Sequence, residues 1–193
     1  MLAFTQTLNH IMFNKALKQH VANRGVPPDD FLAQLIDWGK TAPNDIFEPN
    51  PFSDIYTSVK NTLGPYRQDP HRRAVMLEVL RVLAGFESSW NFNEGKDPAN
   101  HNPDPRSFEA GAWQVSADSM SFGSELRDLV LAHGGAVDPD SFQRLMKHNH
   151  PVAMEYIARL LRRTTSANGP VVRHEIDPFL RTDAVDAFLQ ELN

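Results

Sequence analysis

The segment from about His71 to Phe86 constrains the fold of this 193-residue chain more than any other. Its apolar residues recur with the period of an α-helix and cover so wide an arc that the helix must be buried on most sides. The apolar positions are Val75, Met76, Val79, Leu80, Val82, Leu83 and Phe86. The polar residues form only a narrow strip: Arg72, Arg73, Glu78 and Arg81. We therefore predict a helix at the centre of the fold.

Seven further segments combine helical spacing of apolar residues with helix start or stop signals. Asp29 or Asp30 is the predicted N-cap of the second of them, and Ser53 precedes the third as its cap. No internal repeat occurs, and no strand pattern is evident outside one polar loop, so the fold is predicted to be mainly α. The segments are 5–22, 31–40, 54–64, 124–133, 140–148, 151–163 and 182–192.

Composition and charge limit the class of protein. With 41% apolar and 22% charged residues the chain is typical of ordinary folded proteins, and its length favours one domain. The absence of cysteine excludes disulfides, thiolate nucleophiles and Cys-ligated zinc. A formal net charge of −5 without a basic stripe disfavours a nucleic-acid partner.

The first twenty residues contain apolar positions but lack the marks of a secretory signal peptide. They have no basic region, no unbroken apolar run and no small-residue cleavage site. No stretch approaches the roughly 18 consecutive apolar residues of a membrane-spanning helix, so no membrane span is predicted. We expect a protein made in the cytoplasm that reaches any target outside the cytosol without a general signal peptide.

The stretch from Ser88 to Ser116 differs sharply from the helix before it. Asn, Asp, Pro and Gly dominate, and hydrophobic periodicity is weak. A loop of this length within a folded domain is usually functional or disordered. This loop is therefore the first place to look for a site.

Glu87 stands where the helical pattern requires an apolar residue. Counting back by fours and threes reaches residues of the buried face, namely Leu83, Leu80 and Met76. Apolar neighbours and the negative end of a helix both raise the pKa of a carboxyl placed there. A carboxyl that keeps its proton near neutral pH suits a general acid that protonates a poor leaving group such as a glycosidic oxygen. The alternatives are a rim residue or an ion pair with Arg81 or Arg106.

Two short motifs around this point resemble those of goose-type lysozymes and lytic transglycosylases, which cleave peptidoglycan. In that group a helix ends in Glu-Ser-x-(aromatic)-Asn, and a loop leads to Gly-Leu-Met-Gln-(Val/Ile). Residues 87–91 (ESSWN) match the first motif, and residues 111–115 (GAWQV) match the second at Gly, Gln and Val. Residues 149–161 (NHPVAMEYIARLL) resemble the helix that packs behind the cleft. The family's Tyr-Asn-Ala-Gly element is not evident near the C-terminus.

The resemblance implies a lysozyme-like helical domain with a long polar loop or a small hairpin at the active-site cleft. It divides a single domain, 1–193, into an N-terminal helical extension (1–66), a catalytic core (71–163) and a C-terminal helix (164–193).

The resemblance also implies roles for individual residues. Glu87 is then the catalytic acid, Gln114 a polar contact to the sugar or to the surroundings of the acid, and Gly111 a point of close backbone approach. The remaining substrate-binding candidates are Ser88, Trp90, Trp113 and Tyr156. Both indoles suit stacking on sugar faces, and packing in the core is the alternative for both.

A second carboxyl acts as base or nucleophile in many glycosidases, whereas lytic enzymes manage without one. Glu109 is the preferred catalytic candidate because it adjoins the second motif. Asp104 is the next choice, and Asp97 lies further back in the loop. Glu94 is near in sequence but is expected to point away. Each is alternatively a solvated loop acid.

Metal and cofactor chemistry has little support in the sequence. His148 and His150, at i and i+2, cannot share a helix face, which disfavours an HNH nuclease or a metal site. The Asx-rich loop 97–104 lacks EF-hand spacing, although calcium stays an alternative there. No Walker loop or Rossmann fingerprint occurs. We predict no cofactor and no metal.

The sequence thus predicts an enzyme that cleaves the glycan strand of peptidoglycan, as a muramidase, glucosaminidase or lytic transglycosylase. It would act in the periplasm or on the cell wall, as a phage endolysin or a secreted antibacterial effector, the latter paired with an immunity or inhibitor protein. One alternative is a catalytically inactive lysozyme-fold module that binds glycan or protein. Another is a chitinase-like or chitosanase-like glycosidase.

Overall fold

The structure, a computed structural model, describes residues 13–193. Its central element is α4 (His71–Ser88), which is buried along nearly its whole length. Three helices pack against it: α1 (Asp29–Thr41), α7 (His150–Arg163) and α9 (Thr182–Leu192). The predicted central helix is confirmed. It continues two residues beyond Phe86, so that Glu87 lies in its last turn.

The four residues of the polar strip on α4, Arg72, Arg73, Glu78 and Arg81, are also buried, which the sequence pattern did not indicate. The Arg73 guanidinium donates to the carbonyls of Gly39 and Ala42 at 2.6 and 2.9 Å, and so satisfies the C-terminal end of α1. Arg81 donates twice to the Glu78 carboxylate, at 2.7 Å each. Burial of these charges is tolerated because each has a partner in the core.

The segment before α1 departs from the predicted helix 5–22. Residues 5–12 lie outside the described part of the chain, and over 13–22 the chain forms turns, so the prediction is wrong there. The Asn14 side chain accepts the Ala16 N–H at 2.9 Å, and Ala22 has a φ of 45°. Such local hydrogen bonds compete with a helix, and a left-handed residue interrupts one.

The next helices begin at different caps from those predicted. Pro28 is the N-cap of α1, so Asp29 and Asp30 lie in its first turn. The third predicted helix is divided into α2 (Ile55–Ser58) and α3 (Lys60–Leu63). Asp54, rather than Ser53, caps α2, because its carboxylate accepts the Thr57 N–H while the Thr57 hydroxyl accepts the Asp54 N–H.

The helices predicted for the second half of the chain are confirmed to within one residue at each end. They are α5 (Ser124–Ala132), α6 (Pro139–His148), α7 and α9. A one-turn helix, α8 (Gly169–Val172), was not predicted. Short 3-10 segments lie at Asn44–Ile46, Pro105–Ser107, Ala117–Phe122 and Asp177–Phe179.

The polar loop after α4 ends in a small hairpin. Strand β1 (Glu109–Ala110) runs antiparallel to β2 (Val115–Ser116), with Glu109 opposite Ser116 and Ala110 opposite Val115. The hairpin packs on α6. The predicted mainly helical class is confirmed. Among residues 13–193, no helix has the length and apolar character required to cross a bilayer.

Candidate active site

The chain reverses abruptly where α4 ends. Ser89 and Trp90 have φ values of 56° and 63°, two consecutive left-handed residues that stop the helix. The Trp90 indole folds back and donates to the carbonyl of Arg81 at 2.8 Å. It lies so close to Gly85 that a Cβ there would come within 2.5 Å of the ring. This reversal leaves Glu87 and Ser88 beside the start of the polar loop.

The hairpin is fixed to the end of α4 by hydrogen bonds. The Ser88 hydroxyl contacts the carbonyl of Ala112 at 2.8 Å, and its oxygen accepts the N–H of Asn91 at 3.0 Å. The Trp113 indole donates to the carbonyl of Leu80 at 2.9 Å. The two matched motifs therefore meet in space, although nineteen residues separate them in the sequence.

A cleft of about 460 Å³ opens between these elements. The end of α4 supplies Glu87, Ser88 and Ser89, and the hairpin supplies Glu109 and Gln114. Its other lining residues come from the polar loop, from the turn before α1 and from the segment before α8: Glu94, Asp97, Pro98, Arg24, Ala167, Asn168 and Gly169. Four of all the lining residues are acids, namely Glu87, Glu94, Asp97 and Glu109, so the cleft is acidic.

Glu87 is half-buried in this cleft, and burial raises its pKa to about 7. The cation Arg173 acts in the opposite direction, whereas the negative charges of Glu109, Asp97 and Glu175 add to the increase. Within residues 13–193 its carboxyl has no hydrogen-bond or ion-pair partner.

The arginines considered as partners for Glu87 are engaged elsewhere. Arg81 pairs with Glu78, and Arg106 pairs with Asp118 at 3.1 Å. The Glu87 carboxyl therefore faces the cleft and forms neither of the two ion pairs, with Arg81 or with Arg106, that would have given it a purely structural role.

The structure separates the candidates for a second carboxyl. Glu109 lines the cleft, and both of its oxygens lie 2.9 Å from the side-chain nitrogen of Asn100. Asp97 also lines the cleft. Asp104 does not, because its carboxylate caps the 3-10 segment at the N–H of Arg106, 3.0 Å away. Glu94, which was expected to point away, lines the cleft.

Two of the six predicted substrate-binding residues line the cleft, and four do not. Ser88 and Gln114 are part of its wall. Trp90, Trp113, Tyr156 and Gly111 are buried outside it. Trp113 packs against the rings of Phe31 and Phe92, which also contact each other, and the Tyr156 hydroxyl bonds Ser119 at 2.7 Å. We therefore place both indoles and Tyr156 in the core and leave them out of the candidate site.

Sequence reasoning missed part of the cleft wall. Residues 167–169 follow α7, and the buried Asn168 side chain accepts the N–H of Val171 at 3.2 Å, which starts α8. The Asn-Gly pair at 168–169, in the segment that follows a predicted helix, was the available signal, since this pair marks a turn. Arg24 and Arg173 carried no such signal, because their positions depend on tertiary packing alone.

A larger cavity of about 590 Å³ lies elsewhere, next to the C-terminal part of α7. Its arginines are already paired with acids. Arg159 contacts Asp45 at 2.7 Å, and Arg163 lies 3.8 Å from Glu125. The bond from Arg159 lowers the pKa of the Asp45 carboxyl, whereas the smaller acidic cleft holds a carboxyl with a raised pKa and is the better candidate for chemistry.

Gly111 provides a test of how the hairpin is fixed. Its φ is +76°, and a Cβ would lie 3.1 Å from the carbonyl oxygen of Met146 on α6. We expect Gly111→Ala to lower the free energy of unfolding by about 1–2 kcal/mol for the left-handed backbone, plus a further loss for the contact. Gly134→Ala is the matched control, because Gly134 has the same φ with nothing within 4 Å. Urea denaturation measures both losses. Equal losses of unfolding free energy in the two variants would contradict the close approach of Gly111 to the Met146 carbonyl.

The part of the chain that the structure describes contains no set of side chains that would form a metal site. Residues 13–193 contain no group of three or more His, Asp or Glu side chains arranged to hold an ion. His150 bonds the Gln34 amide and stacks on Phe92, with ring centroids 3.7 Å apart.

The cleft thus combines a carboxyl that holds its proton near neutral pH with a second carboxyl fixed by an amide. Such a pair, in a polar groove, suits general acid catalysis on a polar substrate. Comparison with known proteins adds no assignment: no family model, curated protein or solved structure matches this chain.

Proposed function

We propose that this protein cleaves the glycan strand of peptidoglycan, with Glu87 as the general acid. The observation that carries the proposal is the half-buried Glu87 carboxyl, which faces the cleft with a pKa of about 7. An acid with this pKa is protonated in a large share of molecules at neutral pH and still gives up its proton readily. It would protonate the bridging oxygen as the glycosidic bond breaks.

A lysozyme-like fold is part of the proposal. Three segments resemble those of the goose-type lysozyme and lytic transglycosylase group: the end of α4, the hairpin and α7. The hairpin is hydrogen-bonded to the end of α4, and α7 packs against α4. This arrangement supports the proposed lysozyme-like fold more than each short motif does alone, since nothing in a sequence forces distant motifs into contact.

Glu109 is the proposed second carboxyl. It lines the same cleft, and its charge acts on Glu87. In a hydrolase it would activate water or attack the anomeric carbon, and in a lytic enzyme it would assist while a substrate hydroxyl closes an anhydro ring. Asp97 is the alternative, and Asp104 is no longer a candidate.

Mass spectrometry of digested, purified peptidoglycan tests the proposal. We expect soluble muropeptides whose new ends are either reducing sugars or anhydro sugars, which distinguishes hydrolysis from lytic cleavage. Chitin oligosaccharides, incubated in parallel, test the chitinase-like alternative. Retention on peptidoglycan without any release of fragments would support the binding module and would overturn the enzyme.

The pH dependence follows from the protonation of Glu87. As the general acid it works only with its proton, so the cleavage rate should fall about tenfold per pH unit above about 7. Initial rates of muropeptide release between pH 5 and 9 measure this, with circular dichroism at each pH to show that the protein stays folded. A rate that rises through pH 7 and beyond would contradict the assignment.

A further inference from the structure

The side chain of Asn100 connects the polar loop to Glu109. Its Nδ2 lies 2.9 Å from each carboxylate oxygen of Glu109 and 3.0 Å from the carbonyl oxygen of Ser107. An amide nitrogen has two hydrogens. One of them is therefore shared between the two carboxylate oxygens, and the other is donated to the Ser107 carbonyl.

The orientation of this amide is fixed by its oxygen. Oδ1 of Asn100 accepts the N–H of Asn102 at 3.0 Å. A flipped amide would place Oδ1 against the Glu109 carboxylate and would lose all of these bonds. The Asn100 N–H also donates to the carbonyl of Asp97 at 2.9 Å, so the backbone at this residue is held as well.

Asn100 faces a carboxylate within an acidic cleft. The charged groups that line the cleft around Glu109 are Glu87, Glu94, Asp97 and Arg24. Its side-chain N–H group is aimed at both oxygens of Glu109 and so restricts the rotation of that carboxylate. A neutral amide can donate to Glu109 without attracting the other acids of the cleft. A lysine or arginine at the same place would also pair with those acids.

We propose that Asn100 is a positioning residue that holds the Glu109 carboxylate in a fixed orientation in the cleft that it shares with Glu87. The inference rests on the proposed function. It gives a role to the Asx-rich part of the loop, which presents an amide to the hairpin. Asn100 itself does not line the cleft, so it acts through Glu109.

The test is a double-variant cycle with purified peptidoglycan as substrate. Asn100→Ala is expected to lower kcat about 10- to 100-fold with KM changed less than about twofold, as the loss of a hydrogen bond to a charged group predicts. In a Glu109→Gln background, which has lost the carboxylate, Asn100→Ala should have little further effect. A merely structural role would lower kcat equally in both backgrounds, and that outcome would overturn the proposal.

Two further variants sharpen the test. Asn102→Ala is the matched control: it removes a neighbouring Asx side chain that accepts the Asp104 N–H at 3.0 Å and does not contact Glu109, so kcat should stay within about twofold. Asn100→Asp keeps the shape of the side chain and places an oxygen against the carboxylate, so its kcat should be no higher than that of Asn100→Ala. Full activity of Asn100→Asp or of Glu109→Gln would overturn the inference. Inactive wild-type protein, or an active Glu87→Gln variant, would instead overturn the proposed function.

Discussion

Glu87→Gln is expected to lower the rate of peptidoglycan cleavage about 10²- to 10⁴-fold. The amide has nearly the same shape as the acid and occupies the same half-buried position, but it cannot donate a proton to the bridging oxygen. Muropeptide release at pH 6, where the wild-type acid is mostly protonated, measures the effect. Binding to peptidoglycan should persist, because the other residues that line the cleft are unchanged.

Glu94→Gln is the matched control for this variant. Glu94 also lines the cleft, and its carboxylate accepts a hydrogen bond from the Asn91 amide at 3.0 Å. We expect its rate to stay within about threefold of the wild type, since a carboxyl without a catalytic role contributes only to local charge. Equal rates for Glu87→Gln and the wild type would contradict the assignment of Glu87 as the general acid and, with it, the proposed enzymatic function.

Stability distinguishes loss of chemistry from loss of fold. The folded-state pKa of Glu87 lies above its ordinary value of 4.5, so proton binding favours the folded state. This contribution is complete below pH 4.5 and is lost as the pH rises through about 7. Glu87→Gln has no charge to bury, so its Tm at pH 8 should equal or exceed that of the wild type.

The sequence was sufficient to predict the central helix and the acid at its end. Both depend on local periodicity, and the 3.6-residue repeat places Glu87 on the buried face without any knowledge of its neighbours. The capping and breaking signals of the second half were similarly local, which explains why α5, α6, α7 and α9 agree with prediction to within one residue at each end.

The remainder of the site depends on contacts between distant residues. A tryptophan in a cleft motif suits a sugar platform and a core equally well, and only the packing of Trp113 against Phe31 and Phe92 decides between the two roles. Asn100 appeared as one of many polar loop residues, because its role depends on the position of Glu109 in the folded chain.

The buried polar strip of α4 was missed for the same reason. Glu78 and Arg81 are both fully buried, three residues apart on one helix. Burial raises the pKa of Glu78, while Arg81 and the N–H of Arg181, 3.0 Å away at the start of α9, favour the charged form. The pair therefore belongs to the contact between the two helices, which no periodicity could reveal.

Glu78→Gln is expected to lower the free energy of unfolding by about 3–5 kcal/mol, because it leaves the Arg81 guanidinium buried without a counter-charge and an arginine cannot lose its proton. Arg81→Met should cost less, since Glu78 can take up a proton. The combination of both changes should recover much of the stability lost in Glu78→Gln, because the unpaired charge is removed. Urea denaturation of the four proteins measures the coupling.

Glu175→Gln is the matched control for the buried pair. Arg173 makes the same two-bond contact with Glu175, at 2.8 and 2.9 Å, but both side chains are exposed, with 61% and 38% of their surface accessible. Water and ions screen such a pair, so the expected loss is only a small fraction of that for Glu78→Gln. The residue types and the two bonds to the guanidinium are the same in both pairs, so the comparison tests the effect of burial together with the additional Arg181 N–H bond of Glu78. Similar losses for the two glutamates would mean that the core tolerates an unpaired guanidinium through water or local rearrangement, and α4 would then be less tightly covered by α9 than the structure indicates.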